Sequence, residues 1–387
     1  SIFTYFYRGA NNSGLEAKVT SYGLGGAAAT YNSNIDTEVI STSVRNMAAV
    51  NIERGFISSS KALVTYRNAS VSERHYGRVV NISSTGTITF ENAFQISTNY
   101  NQIYNKALNI GNSRVVVASH RGGNDINLTH FQYNGTNSYQ YGVVEVASDQ
   151  HNCFPTMGYI NDDRVVYFYT RRTGTGLDRY INAVLYDTSE VGSVTPTSMA
   201  SSTEYDVGAD RIGQAPDCAV GRGPDDTSAF GIFVYNDGTD HKGRAVPFKV
   251  TYQQGYTGTN EVRLVHSGTG VLAQSTVGQH PETSNAYRNP VHVIALGTDP
   301  DATGRFLYFC LTSPGYGWII QQNTSTGAIS TKVEGVLENI TSSNNFRRCD
   351  IHWFGMPGNG ARGILGGGAE WARVTAIIAG EYGTPSG

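Results

Sequence analysis

The sequence predicts an all-β fold, a β-propeller of seven blades, and three observations carry that prediction. One short apolar strand recurs seven times along 387 residues. The composition suits strands joined by tight turns, with 45 Gly, 24 Tyr and 15% charged side chains against the usual quarter. No segment of length repeats its apolar residues with the helical period. The short stretch from Leu337 to Ser342 comes nearest and is too brief to propagate a helix.

The recurring strand ends in an aromatic or polar residue, often beside Arg or Asn. Its copies are Ile2–Arg8, Ala62–Asn68, Arg114–Arg121, Arg164–Arg171, Ala229–Asn236, Arg305–Leu311 and Arg362–Gly368. Successive copies begin 60, 52, 50, 65, 76 and 57 residues apart. A unit of about 50–60 residues with variable loops matches a four-stranded propeller blade. A shorter strand precedes most copies, as in Ala48–Ile52, Ala107–Ile110, Met157–Ile160, Cys218–Val220, Val291–Ala295 and Asp350–Phe354. A longer one follows, as in Leu15–Tyr22, Gly77–Ser83, Asn127–Tyr133, Tyr180–Tyr186, Gly243–Tyr252, Trp318–Gln322 and Trp371–Ala379. A turn such as Ser84–Gly86 then leads to a fourth strand, clearest at Thr87–Phe90. Strand, strand, strand, turn, strand is a β-meander.

The two ends are incomplete in complementary ways. The first unit lacks its leading strand and the last lacks a clear fourth, as expected if strands from both termini close the ring and remove two unpaired sheet edges. Six blades is the alternative, if residues 1–45 only complete the last one. No low-complexity linker interrupts the chain, so residues 1–387 read as one domain. Insertions at Val191–Gln214, Gln253–Arg288 and Glu334–Asn345 would decorate one rim.

A formal net charge of −3 gives no polyanion-binding signature, so nucleic acid is not an expected partner. No run of 18 apolar residues exists, so no helical membrane insertion is expected. The N-terminal stretch lacks a basic region and a cleavage site, and Ser1 reads as a processed end or a fragment boundary. Cys153, Cys218, Cys310 and Cys349 are widely spaced and read as buried free thiols. Asn-x-Ser/Thr triplets at Asn11, Asn68, Asn81, Asn127, Asn134, Asn323 and Asn339 are what chance gives in a chain so rich in these residues.

The chemistry-bearing residues are sparse. Arg8, Arg67, Arg121 and Arg171 stand at or just after the end of the repeated strand, with Tyr7, Tyr66 and Tyr169 beside them. Matching places on successive blades would form a ring on one face. Such a ring of Arg and Tyr stacks on sugars or grips carboxylates. Its structural alternative is a repeated hydrogen bond inherited by duplication. His120, His130, His151 and Cys153 fall in one stretch without metal-ligand spacing, and Cys349 and His352 lie three apart, on opposite faces of a strand. No metal site and no cofactor are therefore expected. The carboxylate pairs Asp162–Asp163, Asp225–Asp226 and Asp299 with Asp301 sit in turns and read as turn caps. No nucleophile elbow, phosphate loop or catalytic triad can be selected.

Ala62–Asn68, Tyr76–Val80 and Thr87–Glu91 together resemble a blade repeat of virion and tail-fibre-like β-propeller proteins of marine tailed phages, and Tyr141–Val144 echoes the second element. The resemblance covers about half of the chain. It departs at Phe90-Glu91, where the family repeat ends in Phe-Gly. No His and Tyr pair of the seven-bladed polysaccharide lyases can be placed. The phage resemblance implies a non-enzymatic virion or cell-surface structural protein, located on a virion or an extracellular surface. Its expected partners are other virion or surface proteins of a larger assembly, and a host glycan. The alternatives are a glycan-degrading lyase or hydrolase using the propeller funnel, and a purely structural adaptor.

Overall fold

The computed structural model describes residues 2–8, 15–23, 30–42, 44–52, 60–68, 70–71, 74–97, 104–120, 125–148, 155–161, 163–173, 177–189, 195–202, 205–206, 216–222, 227–236, 243–252, 260–264, 270–271, 291–295, 305–310, 315–322, 329–337, 348–355, 361–368 and 373–380. Among them every regular element is a strand. They form seven antiparallel sheets, each ordered as the chain runs. Sheet I holds Ile2–Arg8, Leu15–Gly23 and Thr30–Ser41. Sheet II holds Val44–Asn51, Ser60–Asn68, Arg74–Ile82 and Ile88–Phe90, with Phe94–Ser97 also on its third strand. Sheet III holds Tyr104–Gly111, Arg114–His120, Ile126–Gly135 and Ser138–Ala147. Sheet IV holds Thr156–Asn161, Arg164–Thr173, Leu177–Asp187 and Thr197–Ser201, with Tyr205–Asp206 on its third strand. Sheet V holds Asp217–Arg222, Ser228–Asn236, Gly243–Thr251 and Glu261–Leu264, with Gly270–Val271 on its third strand. Sheet VI holds Val291–Ala295, Arg305–Cys310, Gly315–Gln322 and Ile329–Leu337, and sheet VII holds Arg348–Gly355, Ala361–Gly368 and Arg373–Gly380.

All seven copies of the repeated strand are strands, and the meander order is the predicted one. Two expectations need correction. Tyr141–Val144 lies on the fourth strand of sheet III, whereas Tyr76–Val80 lies on the third strand of sheet II, so the two are not equivalent. The stretch from Glu334 is not wholly an insertion, because Ile329–Leu337 is the fourth strand of sheet VI. The proposed helix-like stretch 338–342 lies outside the described residues, apart from Leu337, which closes that strand. Cys218 is a buried thiol in no disulfide, and the side chains of Cys153, Cys310 and Cys349 lie outside the described residues.

Two compact units divide the chain. One comprises Ser1–Tyr167 with Tyr186–Ser198, the other Phe168–Leu185 with Met199–Gly387. In the first unit the leading strand of sheet II lies against that of sheet III, and that of sheet III against Thr156–Asn161. In the second, the leading strands of sheets V, VI and VII adjoin in the same sequence. Within each unit, then, successive sheets meet through their leading strands. Burial falls off across sheet III. Arg114–His120 is buried at every position because both faces are covered, while Ser138–Ala147 is exposed or half-buried throughout. Asn112 and Ser113, at φ 52° and 59°, make the two-residue turn that joins the first two strands, the left-handed pair that type I′ hairpins need.

Sheets I and II share a core of Leu15, Val19, Ile40, Val64, Tyr66, Val80 and neighbours. Sheets II and III share another, of Leu63, Val79, Phe94, Val115, Val117 and Phe131 among others. Side chains alternate strictly across Ser60–Asn68, so Leu63 faces sheet III and Val64 faces sheet I. Polar groups then join sheet to sheet. Arg78 donates to the Ile40 carbonyl at 2.6 Å and the Glu91 carbonyl at 2.8 Å. Arg114, itself buried, donates to the Thr188 carbonyl at 2.8 Å and meets Asp163 at 3.4 Å. Asp163 is thus an ion-pair partner rather than a turn cap alone.

The most connected of these groups is Glu91, just past the fourth strand of sheet II and 4% exposed. Its Oε1 accepts the Tyr133 hydroxyl at 2.7 Å and its Oε2 accepts the Asn137 backbone N–H at 2.6 Å. The Lys61 ammonium stands 3.6 Å away, donates to the Tyr133 hydroxyl at 2.7 Å and sits over the Tyr133 ring. Burial alone pulls the Lys61 pKa down, but the Tyr133 hydroxyl and the Glu91 charge outweigh it and hold it above its usual value. Asn137 takes the left-handed conformation at φ 53°, and its side chain accepts the Asn92 N–H at 2.9 Å.

Truncating Glu91 leaves a buried phenol, a half-buried amide and a lysine without their acceptor. Glu91→Ala should lower stability by ~3 kcal/mol in urea unfolding. A double-mutant cycle with Tyr133→Phe should return a coupling of about 1 kcal/mol or more. A second expectation concerns Gly231, opposite Phe248 in sheet V. A Cβ there would fall on the Ala219 carbonyl oxygen and the Phe248 ring, and backbone cannot swing aside. Gly231→Ala should therefore cost ~3 kcal/mol, against ~1 kcal/mol for Gly221→Ala, whose Cβ would meet only the Phe306 ring tip closely, at 3.2 Å.

Candidate functional site

The Arg and Tyr residues singled out in the sequence sit where the repeat places them. Tyr7 and Arg8 end the first strand of sheet I, with Arg8 paired to Leu15. Tyr66 and Arg67 close the second strand of sheet II, with Arg67 paired to His75 and Arg45. Tyr169 and Arg171 lie on the second strand of sheet IV. Arg121 and the side chains of Tyr7, Arg8 and Arg171 lie outside the described residues. Arg67 and Tyr169 are half-buried. Tyr66 is 2% exposed and its ring lies 6.2 Å from that of Tyr76 within the core, so it faces the interior.

Arg67 belongs to a polar seam between sheets II and III. Direct cross-strand partners share a face, so Thr65, Arg67 and His75 continue the face of Leu63 and Val79 toward sheet III. By the same alternation, Ser119, Asn127 and Thr129 continue the face of Val115, Val117 and Phe131. All three are buried. The seam is apolar at one end and polar at the other. His75 is fully buried, and among the described residues neither ring nitrogen has a hydrogen-bond partner, nor does Thr65 Oγ1. Burial pushes the His75 pKa down to about 3. The ring is therefore held neutral beside the Arg67 position.

A second surface was not read from the sequence. Tyr139, Tyr141 and Val143 alternate along the outer strand of sheet III, on the face turned to sheet II. Phe94 stands opposite Gly77 and its ring fills the place a Cβ of Gly77 would take. That ring lies 4.1 Å from Tyr139 and 5.9 Å from Tyr141. The Tyr141 hydroxyl donates to the Gln95 carbonyl at 2.8 Å, which pins the ring while 40% of the residue stays exposed. Val143 beside it is 41% exposed. Burial, with the charges of Glu91 and Tyr141, raises the Tyr139 pKa and keeps that phenol protonated. The sequence signal was a period-two run of Tyr139, Tyr141 and Val143 after the turn at Asn134–Asn137.

His120 and His130 are buried in sheet III, on the face away from sheet II, while His151 and Cys153 lie outside the described residues. Among the described residues no three His, Cys, Asp or Glu side chains gather to hold a metal.

No protein-family model matches this chain. No curated protein matches it in sequence. Solved structures do resemble it. A Bacteroides uniformis protein provisionally named 6-phosphogluconolactonase aligns with 98% of this chain and 96% of its own, at 11% identity and a TM-score of 0.54. A protein of the same provisional name from Bacteroides fragilis aligns over 98% and 95%, at 10% identity and a TM-score of 0.53. The Aleuria aurantia lectin in complex with α-methyl-L-fucoside aligns over 88% and 97%, at 14% identity and a TM-score of 0.46. At such identities the first two likenesses speak for the fold alone: an all-β chain of successive antiparallel sheets.

His75 generates a pH expectation. Its folded-state value is depressed, so the unfolded chain takes up the proton first as pH falls. Its contribution is complete above about pH 6.5 and is lost between there and about pH 3. Within that window the slope should approach ~1.4 kcal/mol per pH unit. Urea midpoints of the wild type and His75→Phe, measured from pH 7 downward, should converge by this amount. Parallel profiles would mean that His75 is not held neutral.

Proposed function

We propose that this chain is a non-enzymatic β-propeller that binds glycans, its seven sheets being the blades of one ring over residues 1–387, closed by strands from both termini. Among the described residues sheets I and VII hold three strands each, where the sheets between them hold four or more, so the two end sheets are where such closure would act. The observation that carries the binding reading is Tyr141. Its ring is pinned by a hydroxyl bond, backed by Phe94 and open to solvent on an outer strand. A fixed, exposed aromatic face beside Tyr139 and Val143 is a stacking platform for the apolar face of a sugar ring, with little side-chain entropy left to lose.

Arg8, Arg67 and Arg121, with Tyr7, form the second contact of the same proposal, cations for acidic groups of the glycan, with Tyr169 and Arg171 at the matching place in sheet IV, while Tyr66 is buried against Tyr76 and takes no part. Placement on a virion or an extracellular surface, within a larger assembly, belongs to this proposal too and rests on the likeness of the repeat to phage fibre proteins.

A glycan array read with Tyr141→Ala and Tyr141→Phe tests the platform. Tyr141→Ala should weaken the best-bound glycan about tenfold, ~1.4 kcal/mol, while Tyr141→Phe keeps most of the affinity. Equal binding by all three proteins would remove Tyr141 from the site, and an array on which the wild type binds nothing would remove the glycan reading.

A further inference from the structure

The turn between the third and fourth strands of sheet III carries an Asn-Gly dipeptide at Asn134–Gly135. Asn134 is exposed. The ladder steps from Tyr133 paired with Tyr139 to Gly135 paired with Ser138, so Asn134 falls in the irregularity and has no partner across the strands. Gly135 stands at φ 134°, and nothing lies within 4 Å of the place where its Cβ would be.

We propose that Asn134 is a site of spontaneous covalent modification, cyclising onto Gly135 and opening to aspartate or isoaspartate. The Gly135 amide nitrogen attacks Cγ of the Asn134 side chain. A new N–C bond forms, the bond from Cγ to Nδ2 breaks, and ammonia leaves with the proton that the Gly135 nitrogen gives up. The product is a five-membered succinimide. Water then adds to one of its two carbonyls and the ring opens. One opening leaves an ordinary aspartate, and the other leaves isoaspartate, whose backbone runs through the former side chain. Water is the one co-reactant, and no oxidant or reductant is needed. Any residue other than Gly after the Asn would crowd the attacking nitrogen with a Cβ, whereas here that space is open.

The same turn holds the contact on which sheets II and III depend. Tyr133, one residue before Asn134, donates to Glu91 Oε1, and Asn137, three residues after it, donates its backbone N–H to Oε2. Modification places a new carboxylate in this turn, one residue from Tyr133. In the isoaspartate form it also lengthens the turn that aims the Asn137 N–H. The joint between the two sheets therefore loosens as the molecule ages.

The test holds the full-length protein at mildly alkaline pH and body temperature, with samples mapped by peptide mass spectrometry and an isoaspartate methyltransferase assay. The Asn134 peptide should shift to the acid mass ahead of every other described asparagine, with isoaspartate in excess. Asn134→Gln, whose longer side chain disfavours the ring, should lose that shift. Aged wild type should melt lower than fresh wild type, and aged Asn134→Gln should not. Two results overturn the proposal. One is an Asn134 that stays an amide while other exposed asparagines convert. The other is an equal fall in melting temperature for aged wild type and aged Asn134→Gln.

Discussion

A carboxylate withdrawn from water sets the terms for the first half of this molecule. Glu91 tolerates burial because every direction around it is answered: a phenol, a backbone amide and an ammonium all converge on its two oxygens. Desolvating such a group without those partners would cost several kcal/mol. The need for them fixes the left-handed turn at Asn137, the reach of Lys61 across from sheet II and the orientation of Tyr133. Apolar packing holds sheets II and III together, but apolar packing slides. The polar contacts at Glu91 give that packing a single register.

The same arrangement recurs with different side chains. Arg78 reaches the Ile40 carbonyl between sheets I and II, Asn109 reaches the Ile52 carbonyl between II and III, and Arg114 reaches the Thr188 carbonyl beyond III. In the second unit Asp217 accepts the Val293 N–H between sheets V and VI, while also capping its own strand through Cys218. Each contact joins a buried or half-buried side chain to main chain in, or just past, a strand of an adjacent sheet. Main chain does not mutate away, so such contacts survive the divergence of the repeated units. Each such contact ties one sheet to its neighbour through a group that substitution cannot remove.

The strands were legible because their signal is local. Apolar runs such as Ala62–Asn68 and Arg164–Arg171 declare a strand buried on both faces, and the strands before and after them follow. The fourth strand of sheet III was misread because none of its residues is buried, and Tyr141–Val144 imitates the third-strand motif Tyr76–Val80. Exposure weakens the hydrophobic pattern on which sequence reading relies. The candidate site was less legible still. Arg67 and His75 are neighbours through pairing of two strands, and Tyr141 meets Phe94 across two sheets. Nothing in the spacing of these residues announces either contact. Tyr66 looked like a surface aromatic beside an Arg, but alternation sends it inward toward Tyr76.

The burial gradient across sheet III has an evolutionary corollary. Arg114–His120 is closed in on both faces, while the outer strand Ser138–Ala147 touches solvent along its whole length. Substitutions at the exposed positions of such an outer strand can change the surface with little effect on how the chain folds. A lineage could exchange Gln140 or Val143 while the inner strands stay fixed. The outer surface would then change quickly over a frame that changes slowly.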